Sequence, residues 1–231
     1  MAQIHLIGGE KGGVGKSMVA RLLAQYLIDR ERPFIGFDSD RSHGALMRFY
    51  AGFASPVQVD RYESLDAIVE AAVEQPERTV LVDLAAQTQE PLQRWIDESG
   101  VLELAAELGV GLRHWHVMDN GRDAVDLLAR SLVAYGPRLQ HVLVRNHLRG
   151  DDFRLLEESP AWGQAQALGA AVLDIKHLND AVMHKIDASN SSFWAASQAA
   201  DKPSTGLGLM DRQRVKVWLR DAYAGLDRIG A

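Results

Sequence analysis

The run Gly8-Gly9-Glu10-Lys11-Gly12-Gly13-Val14-Gly15-Lys16-Ser17 constrains this chain more than any other stretch. Ile4, Leu6 and Ile7 before it are apolar. After it, Val19, Leu22, Leu23, Tyr26 and Leu27 recur at helical spacing. Strand, glycine-rich loop and helix, in that order, make a phosphate-binding unit. Glycines let the backbone curl so that successive N–H groups point inward as an anion nest. A helix beginning near Lys16 adds the positive end of its dipole. This context assigns Gly12, Gly13, Val14 and Gly15 to a nucleotide cradle, Lys16 to the β- and γ-phosphates, and the Ser17 hydroxyl to Mg²⁺. A glycine-rich turn that binds nothing is the plain alternative, and the flanking strand and helix weigh against it.

Downstream, β-rich and helical patterns alternate. Residues 34–37 read as a second strand that delivers Asp38-Ser39-Asp40 at its carboxyl end, where α/β sheets bind ligands. Residues 41–56, including Arg41, His43 and Arg48, have weak periodicity broken by Gly44, Gly52 and Pro56, so a loop with a short helix is expected. Residues 57–60 suit a short strand. Ser64 suits the cap of a helix with the stripe Leu65, Ile68, Val69 and Val73. Residues 79–83 read as a buried parallel strand ending in Asp83. Pro91 suits the first position of a helix, and Leu92, Trp95, Ile96, Leu102 and Leu104 carry the periodicity past Ser99-Gly100.

Residues 112–118 form the next strand. His114 and His116 alternate within it and share a face, either as part of a metal site without a recognisable third ligand or as side chains packed between sheet and helix. Asp119-Asn120-Gly121 is a turn into an amphipathic helix at 123–135. Residues 139–144 form a strand that delivers Arg145-Asn146-His147, and 170–175 the last strand, with helical patterns at 178–186 and 192–198. Residues 201–206 read as a linker before a C-terminal helix at about 210–227. That helix carries Val215, Trp218, Leu219, Tyr223 and Leu226, which favours packing back on the domain. Asp211, Asp221 and Asp227 dilute the basic face that a membrane-surface helix requires. The alternation predicts an α/β fold, a doubly wound, mostly parallel sheet with helices on both faces, in a single domain of residues 1–231.

Position 10 departs from the standard pattern G-x-x-x-x-G-K-[ST], holding Glu10 where glycine is expected, and a second lysine, Lys11, precedes the paired glycines. The stretch from Lys11 to Ser17 resembles the deviant Walker A motif of the ParA/MinD family of P-loop ATPases. The resemblance implies ATP and Mg²⁺ as cofactors, a homodimer formed with ATP, and a Lys11 that reaches across the dimer to the partner's nucleotide. It implies that Asp38 positions or deprotonates the attacking water, and that Asp40 and a Walker B carboxylate, Asp83, hold waters on the metal. Capping of a helix or turn is the alternative for Asp38 and Asp40. Leu84-Ala85-Ala86-Gln87-Thr88 occupies the place of the family's second switch without the proline or glycine common there. Gln87 is either a water-orienting side chain or a surface residue. Asn146 matches an asparagine that hydrogen-bonds adenine, since an amide both donates and accepts; a turn asparagine is the alternative. The backbone at 176–178 matches the family's base pocket.

The absence of cysteine excludes disulfides, thiol chemistry and the cysteine-held cluster of the nitrogenase iron-protein branch. No apolar run reaches the roughly 18 residues of a membrane span and no signal-peptide pattern is present, so the cytoplasm is the expected compartment and a membrane partner is not expected. A net charge of −6 does not favour a broad DNA-binding surface, while leaving room for a local basic patch. Two functional classes share this chemistry. One is a dimerising switch that hydrolyses ATP to position or segregate a cargo, a plasmid, other DNA or a protein complex. The other is a metabolic P-loop enzyme of the dethiobiotin-synthetase or cobyric-acid-synthase type, which activates a small carboxylate or amide. Lys11 favours the switch, which needs a lysine acting in trans. A nucleotide-bound scaffold with negligible turnover is the third reading.

Overall fold

In the computed structural model, which describes residues 2–40, 44–198 and 206–231, β-rich runs and helical stretches alternate as the pattern predicts. Arg41, His43 and residues 201–205 of the expected linker lie outside the described residues. The chain runs through β1 (Gln3–Gly8), α1 (Lys16–Asp29), β2 (Phe34–Asp38), α2 (Ala45–Phe49), β3 (Ala54–Pro56), α3 (Tyr62–Glu74) and β4 (Thr79–Asp83). It continues through α4 (Gln89–Glu98), α5 (Val101–Glu107), β5 (Gly111–Met118), α6 (Arg122–Tyr135), β6 (Gln140–Asn146), α7 (Arg154–Glu157) and α8 (Pro160–Ala167). It ends with β7 (Ala171–Ile175), α9 (Asp180–Ala188), α10 (Phe193–Ser197) and α11 (Leu209–Arg228).

The strands pair in the order β3-β2-β4-β1-β5-β6-β7. Every pairing among the described residues is parallel. Parallel strands need crossover helices, and covering both faces makes each strand apolar on both sides. The period of two divides the sheet residues between two cores. Ile7, Leu81, Val117, Val142 and Val144 pack with α1, α9, α10 and α11. Ile4, Leu6, Val80 and Val82 pack with α3, α4 and α5 on the other face. Met118 and Leu143 extend that second face under α6 and α8.

The C-terminal helix packs on the first face through Val215, Trp218, Leu219, Ala222 and Leu226. Trp218 Nε1 donates to the Lys176 carbonyl at 2.7 Å. Gly225 permits the approach, because a Cβ there would lie 2.6 Å from Leu173 Cδ1.

Local details differ from the sequence expectation. The short edge strand is at 54–56, not 57–60: Gly36 donates to the Phe53 carbonyl and Val57 to the Asp38 carbonyl, which fixes the register three residues earlier. Ser64 does not cap α3. It lies within the first turn and its hydroxyl accepts the Gln58 amide at 2.9 Å. Pro91 is the third residue of α4 rather than the first, still within the turn whose N–H groups have no helical acceptor. The long periodic stretch divides into α4 and α5 at Gly100, whose φ of +60° favours glycine.

Candidate functional site

The chain leaves β1 at Gly8 and crosses the end of β5 before α1 begins. Gly9 and Gly15 have φ of +136° and +95°. A Cβ at Gly9 would lie 2.5 Å from the Val117 carbonyl oxygen, so glycine is required for the loop to sit on β5. A Cβ at Gly15 would lie 2.3 Å from Asn146 Nδ2. Asn146, at the end of β6, is 1% exposed and donates that nitrogen to the Val14 carbonyl at 2.7 Å. It therefore braces the loop, and its Oδ1 retains acceptor capacity. Gly15, Met18, Asn146, Lys176, His177 and Leu178 are among the residues that line a cavity of about 150 Å³. Lys16 is buried and donates to the Lys11 carbonyl at 2.9 Å. Burial lowers its pKa, opposed by the charges of Asp83, Glu10 and Asp40.

The strand order brings three chain ends together. β4 lies between β1 and β2, with Asp83 in register with both Ile7 and Asp38. Asp38 is buried, and its carboxylate is engaged locally. Oδ1 accepts the Asp40 amide at 3.0 Å, while Oδ2 accepts the amides of Leu46 (2.9 Å) and Met47 (3.3 Å) in the first turn of α2. The capping alternative thus describes Asp38 in this structure. Burial raises its pKa against those amides. Asp83 differs in kind. It is 1% exposed, and among the described residues neither carboxylate oxygen has a partner at hydrogen-bond geometry. Burial, then the negative charge of Asp38, pushes its pKa up to about 7, opposed by the nearby Ser17 hydroxyl and Lys16 charge. Asp40 sits close enough for its charge to act on Lys16 and on Asp83.

A buried carboxylate with both oxygens unpartnered is expensive unless a cation completes it. Ser17, Asp40 and Asp83 form an all-oxygen donor set, the chemistry of a hard divalent ion such as Mg²⁺. The histidine pair is a different matter. His114 and His116 share a face as predicted, both buried, with His114 against Tyr135 at 4.9 Å between ring centroids. Among the described residues no group of three or more histidine, cysteine or acidic side chains is arranged to hold a metal.

Lys11 is engaged within its own chain. Its Nζ lies 3.1 Å from both oxygens of Asp119, and Arg149 Nη1 lies 3.2 Å from Oδ2. Asp119 is 1% exposed and follows β5 directly. In sequence Asp119 reads only as part of a turn and Arg149 as part of a polar loop. An aspartate one residue beyond a buried parallel strand was the available signal, the same one that marks Asp38 and Asp83. Gln87 is exposed, as its surface alternative has it, and holds φ at +61°, while Glu10 Oε1 accepts the Gln89 amide at 2.8 Å. A wider cleft of about 560 Å³, lined by Arg113, Arg138, Gln140 and Ala171, lies at the amino ends of β5–β7, away from the phosphate loop. In parallel sheets ligands bind at the carboxyl ends.

The comparisons follow the same outline. The septum site-determining protein MinD from Pyrococcus horikoshii, complexed with Mg-ADP, superposes over 100% of this chain and 98% of its own at TM-score 0.60 and 12% identity. The fold is MinD/ParA-like. The MinC:MinD cell division complex of Aquifex aeolicus matches over 99% of this chain and 96% of that one at TM-score 0.60 and 10% identity. At such identities the likeness establishes the fold alone. In sequence, the chain is 26% identical over 232 residues to Protein MobD of Acidithiobacillus ferrooxidans, covering 98% of this chain and 97% of that one. It is 25% identical over 240 residues to Protein TraL of Escherichia coli, covering 98% of each. Both are distant full-length homologues. No family model matches the chain.

Proposed function

We propose that this chain is a Mg²⁺-dependent ATPase that dimerises with ATP and uses hydrolysis as a switch to position or segregate a cargo. The observation that carries the reading is Asp83: a buried carboxylate, both oxygens unpartnered, beside Ser17 and Lys16 at the mouth of the phosphate loop. Ser17, with Asp40 and Asp83, would hold the metal, directly or through water. Bound there, Mg²⁺ supplies charge neutralisation on the phosphoryl oxygens.

The chain's own residues do the rest. The amides of Gly12 to Ser17 and the amino end of α1 bind phosphate oxygens. Lys16 leaves the Lys11 carbonyl to stabilise charge developing in the transition state. Asp38 Oδ1, which accepts the Asp40 amide, lies where a carboxylate can orient the attacking water. Asn146 Oδ1 accepts from the N6 amine of adenine while Nδ2 keeps its bond to the loop. Lys11 exchanges Asp119 for the partner's nucleotide on dimerisation. Full-length likeness to MobD and TraL supports a cargo in plasmid mobilisation or conjugal transfer.

Analytical sedimentation tests the reading. With ATP and Mg²⁺, the Asp38→Ala variant is expected to run as a dimer, and adding Lys11→Ala is expected to return it toward monomer. The same monomer with and without ATP would refute the switch. A stable dimer indifferent to Lys11 would refute only the trans role of that lysine.

A further inference from the structure

Position 10 holds glutamate where the standard phosphate loop has glycine, residues 84–88 lack the proline or glycine common in the second switch, and the structure joins the two departures. Glu10 sends Oε1 to within 2.8 Å of the backbone nitrogen of Gln89, the first residue of α4 and 79 positions away. That amide belongs to the first turn of a helix, where N–H groups have no intrahelical acceptor. The residue at the cap, Thr88, does not satisfy it. Its hydroxyl donates to the Ala85 carbonyl at 2.9 Å instead. A carboxylate in this place makes a charge-assisted bond and also complements the helix dipole.

Two residues earlier, Gln87 holds φ at +61°. A side chain with a Cβ rarely enters that region, because the Cβ crowds the following carbonyl oxygen. Such a conformation persists where its surroundings over-determine it. Here they do so from both ends. Leu84 donates to the Ile7 carbonyl at 2.9 Å, and the Ala85 amide donates to Ser39 Oγ at 2.8 Å. Those bonds hold the front of the segment to β1 and to Ser39, just past the end of β2. Glu10 holds its rear.

We infer that Glu10 is a positioning residue, whose carboxylate holds the second switch in the left-handed Gln87 turn. It does through a bond from the phosphate loop what a glycine at position 87 would do through conformational freedom. The inference rests on the ATPase reading for its kinetic consequence, but not for its structural one. The start of α4 is thereby tied to the loop that carries Lys11 and Lys16, so a shift of the loop at position 10 moves the second switch with it.

The test combines amide exchange by nuclear magnetic resonance with ATPase kinetics on the full chain. Glu10→Ala should speed exchange at the Gln89 amide by about tenfold or more, the size expected for losing one charge-assisted hydrogen bond. It should also shift the signals of residues 84–88. The value of kcat should fall about tenfold and the KM for ATP should stay within about twofold. Glu10→Gln retains an acceptor oxygen and should remain within about threefold of the parent in every readout. Adding Gln87→Gly to Glu10→Ala should return the signals of residues 84–88 and the kcat toward the parent, while the Gln89 amide stays fast.

Unchanged Gln89 exchange in Glu10→Ala overturns the inference, as does a Gln87→Gly substitution that fails to restore residues 84–88. A parent protein without ATPase activity refutes the functional reading instead, and the exchange and chemical-shift arms still decide the Glu10 contact.

Discussion

The contact between Gly15 and Asn146 supports a quantitative forecast. Gly15→Ala has two separable costs. At φ +95° a side chain forfeits about 1–2 kcal/mol to backbone strain. Its Cβ would also lie 2.3 Å from Asn146 Nδ2, so Asn146 must leave and release the 2.7 Å bond to the Val14 carbonyl. Leaving a buried group unsatisfied costs about 1–3 kcal/mol. The single substitution should therefore destabilise by about 2–5 kcal/mol. Asn146→Ala removes the same bond without the strain, at about 1–3 kcal/mol. In the double variant the bond is lost once and the clash is gone. The expected total stays at about 2–5 kcal/mol, and the coupling between the sites is about 1–3 kcal/mol. Urea unfolding of the four proteins by circular dichroism measures this. With a slope of about 3 kcal/mol per molar, Gly15→Ala alone moves the midpoint by about 1 M. Costs that add within about 0.5 kcal/mol would refute the reasoning, since they would show that the two side chains do not compete for one space.

Three further outcomes follow from the packing and electrostatics. Burial lowers the pKa of His5 to about 3 and of His116 to about 4, and carries His114 well below 6.5. The unfolded chain binds those protons near pH 6.5 and the folded chain does not, so stability rises with pH between about 5 and 6.5, by up to about 1.4 kcal/mol per unit for each histidine. Asp83 and Asp38, with raised pKa values, contribute the opposite sign, leaving a net positive slope; a urea midpoint unchanged or higher at pH 5 than at 6.5 contradicts this. The Arg21 side chain is 5% exposed and that of its partner Asp187 is 44%, with the guanidinium 3.4 Å from the Phe49 ring. Asp187→Ala should then cost about 2 kcal/mol by stranding a buried charge, and Arg21→Met about 1 kcal/mol or less; the reverse order in chemical denaturation would count against it. Gly225→Ala should lower the melting temperature although alanine is the better helix former by about 1 kcal/mol, because a Cβ 2.6 Å from Leu173 Cδ1 overpacks α11 on β7. An unchanged or higher melting temperature would show that the helix can shift.

Much of the fold was legible because its signals are local. Strand residues 80–82 are apolar between Thr79 and Asp83, Val19 to Leu27 mark a helical stripe, and the loop between β1 and α1 is written in glycines. The misplacements were local too. Ser64 suits a cap by residue type, but its hydroxyl accepts the Gln58 amide; residues 57–60 suit a short strand, but backbone bonds at Gly36 and Val57 set the strand at 54–56. Capping and edge pairing depend on which neighbour arrives, and a propensity does not encode that. The lack of proline or glycine at 84–88 is legible in the sequence, but the left-handed turn at Gln87 is not.

The sequence by itself determined a phosphate loop between a strand and a helix, the alternation that makes a parallel sheet, and a carboxylate at the end of each of β2 and β4. Those features arise from residues within a few positions of one another, where backbone freedom and side-chain periodicity act directly. Only the tertiary structure decided that Asp83 lies unpartnered beside Ser17, that Asp119 and Arg149 receive Lys11, that Asn146 braces Val14, and that Glu10 reaches Gln89. These contacts join strand ends and loops far apart in the chain. Their physical cause is the strand order, which inserts β4 between β1 and β2 and sets β5 and β6 on the other side of β1.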